Sequence, residues 1–342
     1  MKSVVLSKKK LPELVKGISS KNTIYGPTEE NGYSSFKQIQ SFEEMDLSYL
    51  LSRVSPKSVF FNQTETLFKF IPGRKGSLKP TEIPDEKNVI FAIRPCDARS
   101  ISMLDGIFDG DFKDPFYISK RENTVLVGLT CNKPEQNCFC TSFEDSPGSS
   151  KNVDILLTEL EDKYHVEIVT NKGQELINDS SSLLTDASKE DEQEKINVEE
   201  QAISTINRKM NLEGIVLKLD KMFDHELWHN TALKCIGCGI CTFLCPTCHC
   251  FDMQDESTLK EGARIRVWDS CMYPEYTHHA SGHNPRPARM NRVRNRVYHK
   301  FSYFPKNEDV TACTGCARCI DYCPVNIDII DVIDKVGVIS NE

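Results

Sequence analysis

Alternating apolar and polar stretches divide the first half of the chain into short predicted strands and helices. The apolar runs 59–61, Asn88–Ile93 and Thr124–Leu129 predict buried strands, and the periodicity of 98–108 predicts a helix between the last two. A strand, a helix and a second strand in this order are typical of a sheet with parallel neighbours. Residues 153–169, with a charged turn in the middle, predict a hairpin. We therefore expect a mixed α/β domain.

A stretch of charged residues marks the end of this domain. Residues 185–200 are rich in Glu, Asp and Lys, so we predict an acidic linker that continues into a surface helix. Amphipathic helices are predicted over 224–233 and 327–336, on either side of two cysteine-rich motifs. We place the domain boundary near residue 210. The predicted fold class is α+β or α/β, with a mixed α/β domain over 1–210 and an α-helical, ferredoxin-like domain over 211–342.

The bulk composition is that of a globular protein with an unusual number of cysteines. The chain has 342 residues and a formal net charge of −8, a balance that disfavours a nucleic-acid binder. No apolar run approaches the ~18 residues that a membrane span needs. The N-terminus lacks the apolar stretch and cleavage site of a signal peptide, so we expect a cytoplasmic location. The chain contains 15 cysteines, and an odd count in a chain of this length indicates metal ligands rather than a disulfide framework.

Two cysteine motifs carry the strongest chemical signal. Residues 235–246 and 313–324 both read C-x2-C-x2-C-x3-C-P, the pattern that binds [4Fe–4S] clusters in bacterial ferredoxins. Three closely spaced thiolates wrap one cube, while the fourth cysteine serves the other cube of the pair. The predicted ligands are Cys235, Cys238, Cys241 and Cys323 for cluster 1 and Cys313, Cys316, Cys319 and Cys245 for cluster 2. A pair of structural zinc sites is the alternative, but zinc sites rarely use a third and fourth cysteine in this order.

Small residues inside the motifs and the long connection between them refine this prediction. Gly237, Gly239, Gly315 and Ala317 let the backbone approach a cube closely and aim N–H groups at its sulfurs. Small ferredoxins join their motifs by a short connection, whereas a long insertion follows Cys245 in this chain. Helices on both sides of such an insertion indicate the α-helical ferredoxin type, as in the iron–sulfur subunits of fumarate reductases and heterodisulfide reductases.

Four more cysteines stand where predicted strands of the first domain end. They are Cys96, Cys131, Cys138 and Cys140. Because the carboxyl ends of adjacent parallel strands meet at one edge of a sheet, we expect these thiols to converge. A third [4Fe–4S] cluster is the favoured interpretation. A zinc ion and unpaired thiols buried in a core are the alternatives.

Three further cysteines are harder to assign. Cys248 and Cys250 follow the first motif, and Cys271 lies in the insertion. With His249 they would make a site of three thiols and one imidazole. The favoured interpretation is that they pack near cluster 2 and tune its surroundings.

A basic run precedes the second motif. Arg292, Arg294 and Arg296 are its central members, and a run of this kind is usually a solvated face. Cubes with four thiolates carry net negative charge, so nearby arginines would favour the added electron and raise the reduction potential. The alternatives are docking of an acidic partner surface and, least favoured, binding of nucleic acid.

Taken together, these motifs resemble one protein family. The chain is similar to the β subunits of cytoplasmic sulfhydrogenases and to the corresponding iron–sulfur subunits of anaerobic sulfite reductases, and the likeness runs from about residue 24 to residue 335. The shared motifs, in the same order, are Arg94-Pro95-Cys96-Asp97, Cys138-Phe139-Cys140, the run from Cys245 to Asp252, Gly282-His283-Asn284 and His299-Lys300-Phe301. The resemblance implies a relay between a subunit that binds FAD and NAD(P)H and a catalytic subunit. That catalytic subunit would be of hydrogenase, sulfite reductase or heterodisulfide reductase type.

Two other functions stay open at this point. In one, the first domain is a redox enzyme with an active site of its own, centred on Cys96 or on a cluster. In the other, the chain is a zinc-bearing interaction protein, a hypothesis that the leftover cysteines and the basic run motivate. The sequence contains no evident hydride-transfer or nucleophile site, so we expect a relay subunit that is not catalytic alone.

Overall fold

The structure is a computed structural model that describes residues 2–73, 76–83 and 85–339. The chain forms two compact units. The first unit comprises Met1–Pro56, Asp85–Lys209 and Cys313–Ala317. The second unit comprises Lys57–Pro84, Met210–Ala312 and Arg318–Glu342. The first unit therefore includes a segment that follows residue 210, and the second unit includes a segment that precedes it.

Strands and helices alternate irregularly along the described residues. The strands are β1 Lys2–Ser7, β2 Thr23–Glu30, β3 Tyr33–Ile39, β4 Thr64–Ile71, β5 Ser77–Pro80, β6 Asn88–Ile93, β7 Thr124–Leu129, β8 Ile155–Glu159, β9 Lys163–Ile168, β10 Leu184–Asp186, β11 Phe251–Ser257 and β12 Gly262–Trp268. The helices are α1 Leu11–Ser19, α2 Pro95–Phe108, α3 Pro115–Glu122, α4 Asn171–Ile177, α5 Lys189–Thr205, α6 Ile215–Asp220, α7 Leu227–Lys234, α8 Ile240–Phe243, α9 Arg289–Tyr298, α10 Phe304–Glu308, α11 Arg318–Asp321 and α12 Ile329–Ile339.

The first unit is built on a mixed sheet whose strand order is β10-β1-β9-β8-β7-β6-β2-β3. Strands β2, β6, β7 and β8 pair in parallel, and the pairs on either side of them are antiparallel. Every residue of β6 is buried, and its Val89, Phe91 and Ala92 side chains belong to the same core as those of β1 and α1. Helices α2 and α3 connect β6 to its parallel neighbour β7. This arrangement confirms the predicted mixed α/β domain.

The prediction of a strand over residues 59–61 is wrong. A 3-10 turn spans Pro56–Val59, and Phe60 and Phe61 follow it without joining a sheet. Both side chains are buried, and the Phe61 ring stacks on Trp268 with ring centroids 5.6 Å apart. The apolar run therefore reflects aromatic packing rather than strand pairing.

The acidic segment 185–200 is ordered along its length. Its first residues belong to β10, which pairs with β1, and the remainder forms most of α5. Ser188 caps α5 in a capping box with Asp191, which satisfies free N–H groups at the start of the helix.

The second unit combines helices with an antiparallel sheet, ordered β11-β12-β4-β5. The hairpin of β11 and β12 lies in the insertion between the two cysteine motifs, and β12 pairs with β4. The predicted helices beside the motifs are present as α7 and α12. This sheet was not predicted from the sequence. Nowhere in the described residues is a helix long and apolar enough to cross a membrane.

Candidate iron–sulfur centres

The loops of the two cysteine motifs share an unusual backbone. Gly237 and Gly239 have φ angles of 72° and 76°, and Gly315 and Ala317, at the corresponding positions, have φ angles of 68° and 61°. Left-handed residues in alternation turn successive N–H groups toward one centre, which suits an anionic group. The N–H of Gly237 donates to Cys235 Sγ at 3.4 Å. Both loops therefore have the close backbone approach that the small residues predict.

One cavity in the second unit collects the cysteines predicted for cluster 1. Its lining includes Cys235, Cys238 and Cys241 from the first motif and Cys323 from the second. The N–H of Ile327 donates to Cys323 Sγ at 3.2 Å and fixes that side chain. Cys319, a predicted ligand of cluster 2, also lines this cavity, so five sulfur donors surround it and four of them match the donor set of a [4Fe–4S] cube.

Two arginines bring positive charge to this cavity. Arg289 Nη1 donates to the carbonyl oxygen of Cys235 at 2.7 Å, and Arg296 Nη2 donates to that of Cys241 at 3.1 Å. Arg296 also lines the cavity, and within the described residues its buried Nε has no hydrogen-bond partner. An unpaired buried donor is costly. An anionic cube in the cavity would satisfy it.

The other two arginines predicted for cluster tuning or docking, Arg292 and Arg294, also donate to backbone carbonyl oxygens. Arg292 Nη1 donates to the carbonyl oxygen of Pro287 at 2.7 Å. Arg294 Nη1 donates to the carbonyl oxygen of Phe223, and the guanidinium lies 3.5 Å from the centre of the Phe223 ring. Of the three, Arg296 is the one that lines the cavity in the described part of the chain.

The cysteines predicted for cluster 2 are distributed over the two units. Cys313 and Cys316 belong to the first unit, and Cys245 and Cys319 belong to the second. Within the second unit, burial and the charge of the nearby Cys245 raise the pKa of the Cys319 thiol. The assignment of all four cysteines to one cube stays a prediction from motif spacing.

Cys245 is surrounded by positive charge. Lys300 Nζ donates to Cys245 Sγ at 3.2 Å from a π-helical turn over His299–Tyr303, a distortion that often occurs at functional positions. Lys57 Nζ donates to the carbonyl oxygens of Cys245 and Cys248, both at 2.7 Å. A hydrogen bond from Cys248, together with the Lys300 charge, holds the pKa of Cys245 well below its usual range. Cys245 is therefore prepared as a thiolate, the form that binds metal.

Replacing Lys300 by methionine is expected to lower the reduction potential of cluster 2, for which Cys245 is a predicted ligand. Removal of a buried positive charge disfavours the added electron, by on the order of 100 mV for an effective dielectric constant of about 20. A redox titration followed by EPR measures the shift. Lys306→Met is the matched control, because Lys306 pairs with Asp220 at the surface. Equal potentials in the two variants would contradict the prediction.

A cavity within the first unit collects the cysteines predicted for the third centre. Its lining includes Cys96, Cys131, Cys138 and Cys140, together with Cys316 of the second motif. The N–H of Phe139 donates to the carbonyl oxygen of Gly315 at 2.9 Å, so the segment from Cys138 to Cys140 contacts the loop that carries Cys316. The cavity thus borders one more thiol than the sequence predicts.

Arg94 and a bulge in β6 build the sheet edge behind these thiols. Ala92 has a φ angle of 63° at the point where β6 shifts register against β7, and the Tyr49 hydroxyl donates to its carbonyl oxygen at 2.6 Å. Arg94 Nη1 donates to the carbonyl oxygen of Thr130 at 2.6 Å, and its Nε donates to that of Leu50 at 3.1 Å. Bulges of this kind re-aim side chains beside functional sites. The cysteines that follow β6 and β7 are thereby fixed at one edge.

Burial dominates the electrostatics of this cavity. It raises the pKa of Cys140 to about 12 and raises those of Cys131 and Cys138. Metal loading would therefore release protons, since only thiolates bind metal. The all-sulfur donor set fits an iron–sulfur cluster or zinc. In the part of the chain that the structure describes, no three His, Cys, Asp or Glu side chains are grouped around a point that could hold a single metal ion.

The three leftover cysteines form pairs in the second unit. The thiol of Cys248 interacts with that of Cys245, and the thiol of Cys250 interacts with that of Cys271, so that each shifts the pKa of its partner. Burial lowers the pKa of His249 to about 4, so its imidazole is neutral near pH 7. Cys250 and Cys271 thus form a separate pair of thiols.

Two residues of these sites were not singled out from the sequence. Lys57 stands 188 positions before Cys245, and no local pattern connects the two. Arg289 lies in the basic run two helical turns before Arg296, so both belong to one face of α9. Helical periodicity was therefore a usable signal for Arg289, whereas Lys57 offered none.

Comparison with known proteins bears on both halves of the chain. A family model described as a 4Fe-4S dicluster domain matches residues 234–327, which include both cysteine motifs. Over 338 residues the chain is 33% identical to the protein named sulfhydrogenase 2 subunit beta of Pyrococcus furiosus, and the alignment covers 98% of each chain. The prediction that this chain carries iron–sulfur clusters is confirmed.

Proposed function

Because the chain belongs to the family of sulfhydrogenase β subunits, we propose that it is an iron–sulfur electron-transfer subunit of an oxidoreductase complex. The two motifs bind two [4Fe–4S] clusters with exchanged fourth ligands, and the first unit binds a third. One observation carries the proposal most directly: Cys323 of the second motif lines the same cavity as the first three cysteines of the first motif. A cube at this position supplies one-electron chemistry.

The residues of the chain hold and tune the clusters. Cys245 is held as a thiolate by its hydrogen bonds and by Lys300. Arg296 places its guanidinium on the wall of the cluster 1 cavity. Positive charge at both places stabilises the reduced state of a cube, which raises its reduction potential. The chain is thus suited to accept single electrons and pass them on.

We propose partners on both sides of this relay. A subunit that binds FAD and NAD(P)H exchanges electrons with the chain on one side. A catalytic subunit of hydrogenase, sulfite reductase or heterodisulfide reductase type does so on the other. The support is the order of the motifs along the chain and the name of the relative, which is itself a subunit of a sulfhydrogenase. The proposal places the complex in the cytoplasm, where reduced thiols persist.

Iron and acid-labile sulfide counts on anaerobically purified protein test the cluster content. Three cubes predict about twelve irons per chain and the same number of sulfides. A count of about eight would remove the third centre and leave the C-terminal pair. Colourless protein with zinc and no sulfide would overturn the proposal and favour a zinc-bearing interaction protein.

The third centre has its own test. Cys138→Ser is expected to remove about four irons and leave the EPR signals of the C-terminal pair unchanged. Cys138 is buried at the cavity of the first unit. An unchanged iron count in this variant would show that the N-terminal thiols bind no cluster.

Purified chain without partners tests the relay against an independent enzyme. The relay predicts that the isolated chain takes up electrons from a chemical reductant but does not oxidise NAD(P)H, because the flavin belongs to another subunit. Turnover of NAD(P)H by the isolated chain would favour a redox enzyme with its own active site.

A further inference from the structure

Cys250 and Cys271 form a thiol pair at one end of the hairpin of β11 and β12. Phe251 pairs with Trp268 at this end, and just beyond them the N–H of Asp269 donates to the carbonyl oxygen of Cys250 at 3.0 Å. Cys271 follows Asp269 by two residues, and the thiols of Cys250 and Cys271 are close enough to shift each other's pKa. Neither cysteine belongs to a predicted cluster ligand set.

The two thiols differ in exposure and in pKa. Cys271 is buried, at 7% exposure, whereas Cys250 is partly exposed. Interaction with Cys271 is the largest effect on the pKa of the Cys250 thiol, and together with the Tyr276 hydroxyl and the charge of Lys57 it lowers that pKa to about 6. An accessible thiolate beside a buried thiol is the arrangement that thiol–disulfide exchange requires.

The residues on either side of Cys271 belong to the surroundings of cluster 1. Met272 lines the cluster 1 cavity. Ser270 Oγ lies 2.7 Å from Thr242 Oγ1, and Thr242 directly follows the predicted ligand Cys241. The pair therefore stands next to the wall of a redox centre within the same unit.

We propose that Cys250 and Cys271 are a redox-active dithiol that reduces low-molecular-weight disulfides with electrons from the clusters. This inference rests on the proposed electron-transfer function, which supplies the electrons. Transient disulfides of this kind are compatible with a reducing compartment.

The reaction has two exchange steps and one reduction. The Cys250 thiolate attacks a sulfur of the disulfide, which breaks its S–S bond, forms a mixed disulfide on Cys250 and releases the first thiol. Cys271 then attacks the Cys250 sulfur, releases the second thiol and leaves a Cys250–Cys271 disulfide. Two protons and two electrons, one electron from each of two reduced clusters, restore the dithiol. The sum converts one disulfide, two electrons and two protons into two thiols.

Hydroxyethyl disulfide added to the cluster-loaded chain, with its clusters oxidised, tests the exchange steps. The parental chain is expected to release two thiols per chain and to yield a peptide pair linked through Cys250 and Cys271. Cys271→Ser is expected to release one thiol and retain a mixed disulfide on Cys250. Cys250→Ser is expected to do neither. Met253→Ser, an exposed change on β11, is the control and is expected to behave like the parental chain.

The reduction step has a separate readout. Addition of hydroxyethyl disulfide to chain with pre-reduced clusters is expected to remove the EPR signal of the reduced clusters, and Cys250→Ser is expected to retain it. Modification at other cysteines, or signal loss in Cys250→Ser, would overturn the dithiol proposal.

Iron counts distinguish this proposal from the electron-transfer function. Both cysteine variants are expected to keep the parental iron content. Loss of iron from either variant would make the pair a ligand set and overturn the dithiol. A parental chain without clusters would instead overturn the electron-transfer function, and thiol release with linkage of Cys250 to Cys271 would still report on the exchange steps.

Discussion

Replacing Cys323 by serine is expected to abolish the cluster that the first motif wraps. Cys323 lines the cavity that the first three cysteines of that motif also line, although it belongs to the second motif. A serine hydroxyl is a poor substitute for a thiolate, the ligand that holds iron–sulfur cubes. The expected result is a loss of about four irons per chain together with the EPR signal of cluster 1.

Two other serine variants make this result specific. Cys238→Ser removes a predicted ligand from the first motif and is expected to abolish the same EPR signal as Cys323→Ser. Cys313→Ser removes a predicted ligand from the second motif and is expected to abolish the other signal. If Cys323→Ser abolished the same EPR signal as Cys313→Ser instead, each motif would supply all four ligands of its own cube. The exchange of fourth ligands would then be refuted.

Replacing Gly315 by alanine is expected to have the largest effect on folding. A Cβ at this position would lie 2.5 Å from the backbone nitrogen of Cys140 and 2.5 Å from the carbonyl carbon of Phe139. These atoms belong to backbone that is hydrogen-bonded to Gly315 itself. Overpacking and the left-handed φ angle together cost about 2–4 kcal/mol. We expect a melting temperature at least about 5 °C lower and loss of the third cluster.

Gly282→Ala separates the steric clash from backbone strain. Gly282 also has a positive φ angle, 84°, but nothing lies within 4 Å of a Cβ built there. This variant is expected to show the strain alone, with a decrease of about 2 °C in the melting temperature and an unchanged iron content. The predicted clash would be refuted if the Gly315→Ala variant had the same melting temperature as the Gly282→Ala variant and retained its iron.

Local sequence patterns predicted the strands that are buried on both faces. β6 and β7 are continuous apolar runs, and both were placed with their observed bounds. Parallel strands covered on both sides carry no polar alternation, so hydropathy alone marks them. The hairpin of β8 and β9 was likewise predicted, because its charged turn separates two apolar runs.

Such local patterns could not predict the pairing of strands that are distant in the sequence. Arg266 of β12 lies directly opposite Glu65 of β4, and the two side chains form an ion pair. The side chains are 4% and 7% exposed, respectively. A hydropathy pattern predicts that charged residues lie at the surface. The fold buries these two because each neutralises the charge of the other. The four-stranded sheet was missed for this reason.

Motif spacing predicted that Cys323 lies with Cys235, Cys238 and Cys241, but not that Cys319 borders the same cavity, nor the charges around it. The spacing of a cluster motif is a local property of one loop, so it can be read along the chain. Lys57 reaches the carbonyl oxygens of Cys245 and Cys248 only through the tertiary fold. Likewise, no local pattern places Cys316 beside the N-terminal thiols.

The contact between Gly315 and the segment from Cys138 to Cys140 has a consequence for synthesis of the protein. The ribosome delivers Cys138 long before Gly315, so the first unit lacks its last segment until the second motif has been translated. During that interval the N-terminal thiols lack this cover and are open to oxidation. The surroundings of the proposed N-terminal centre are therefore complete only after translation of the second motif, and the rate of elongation sets how long the site stays unfinished.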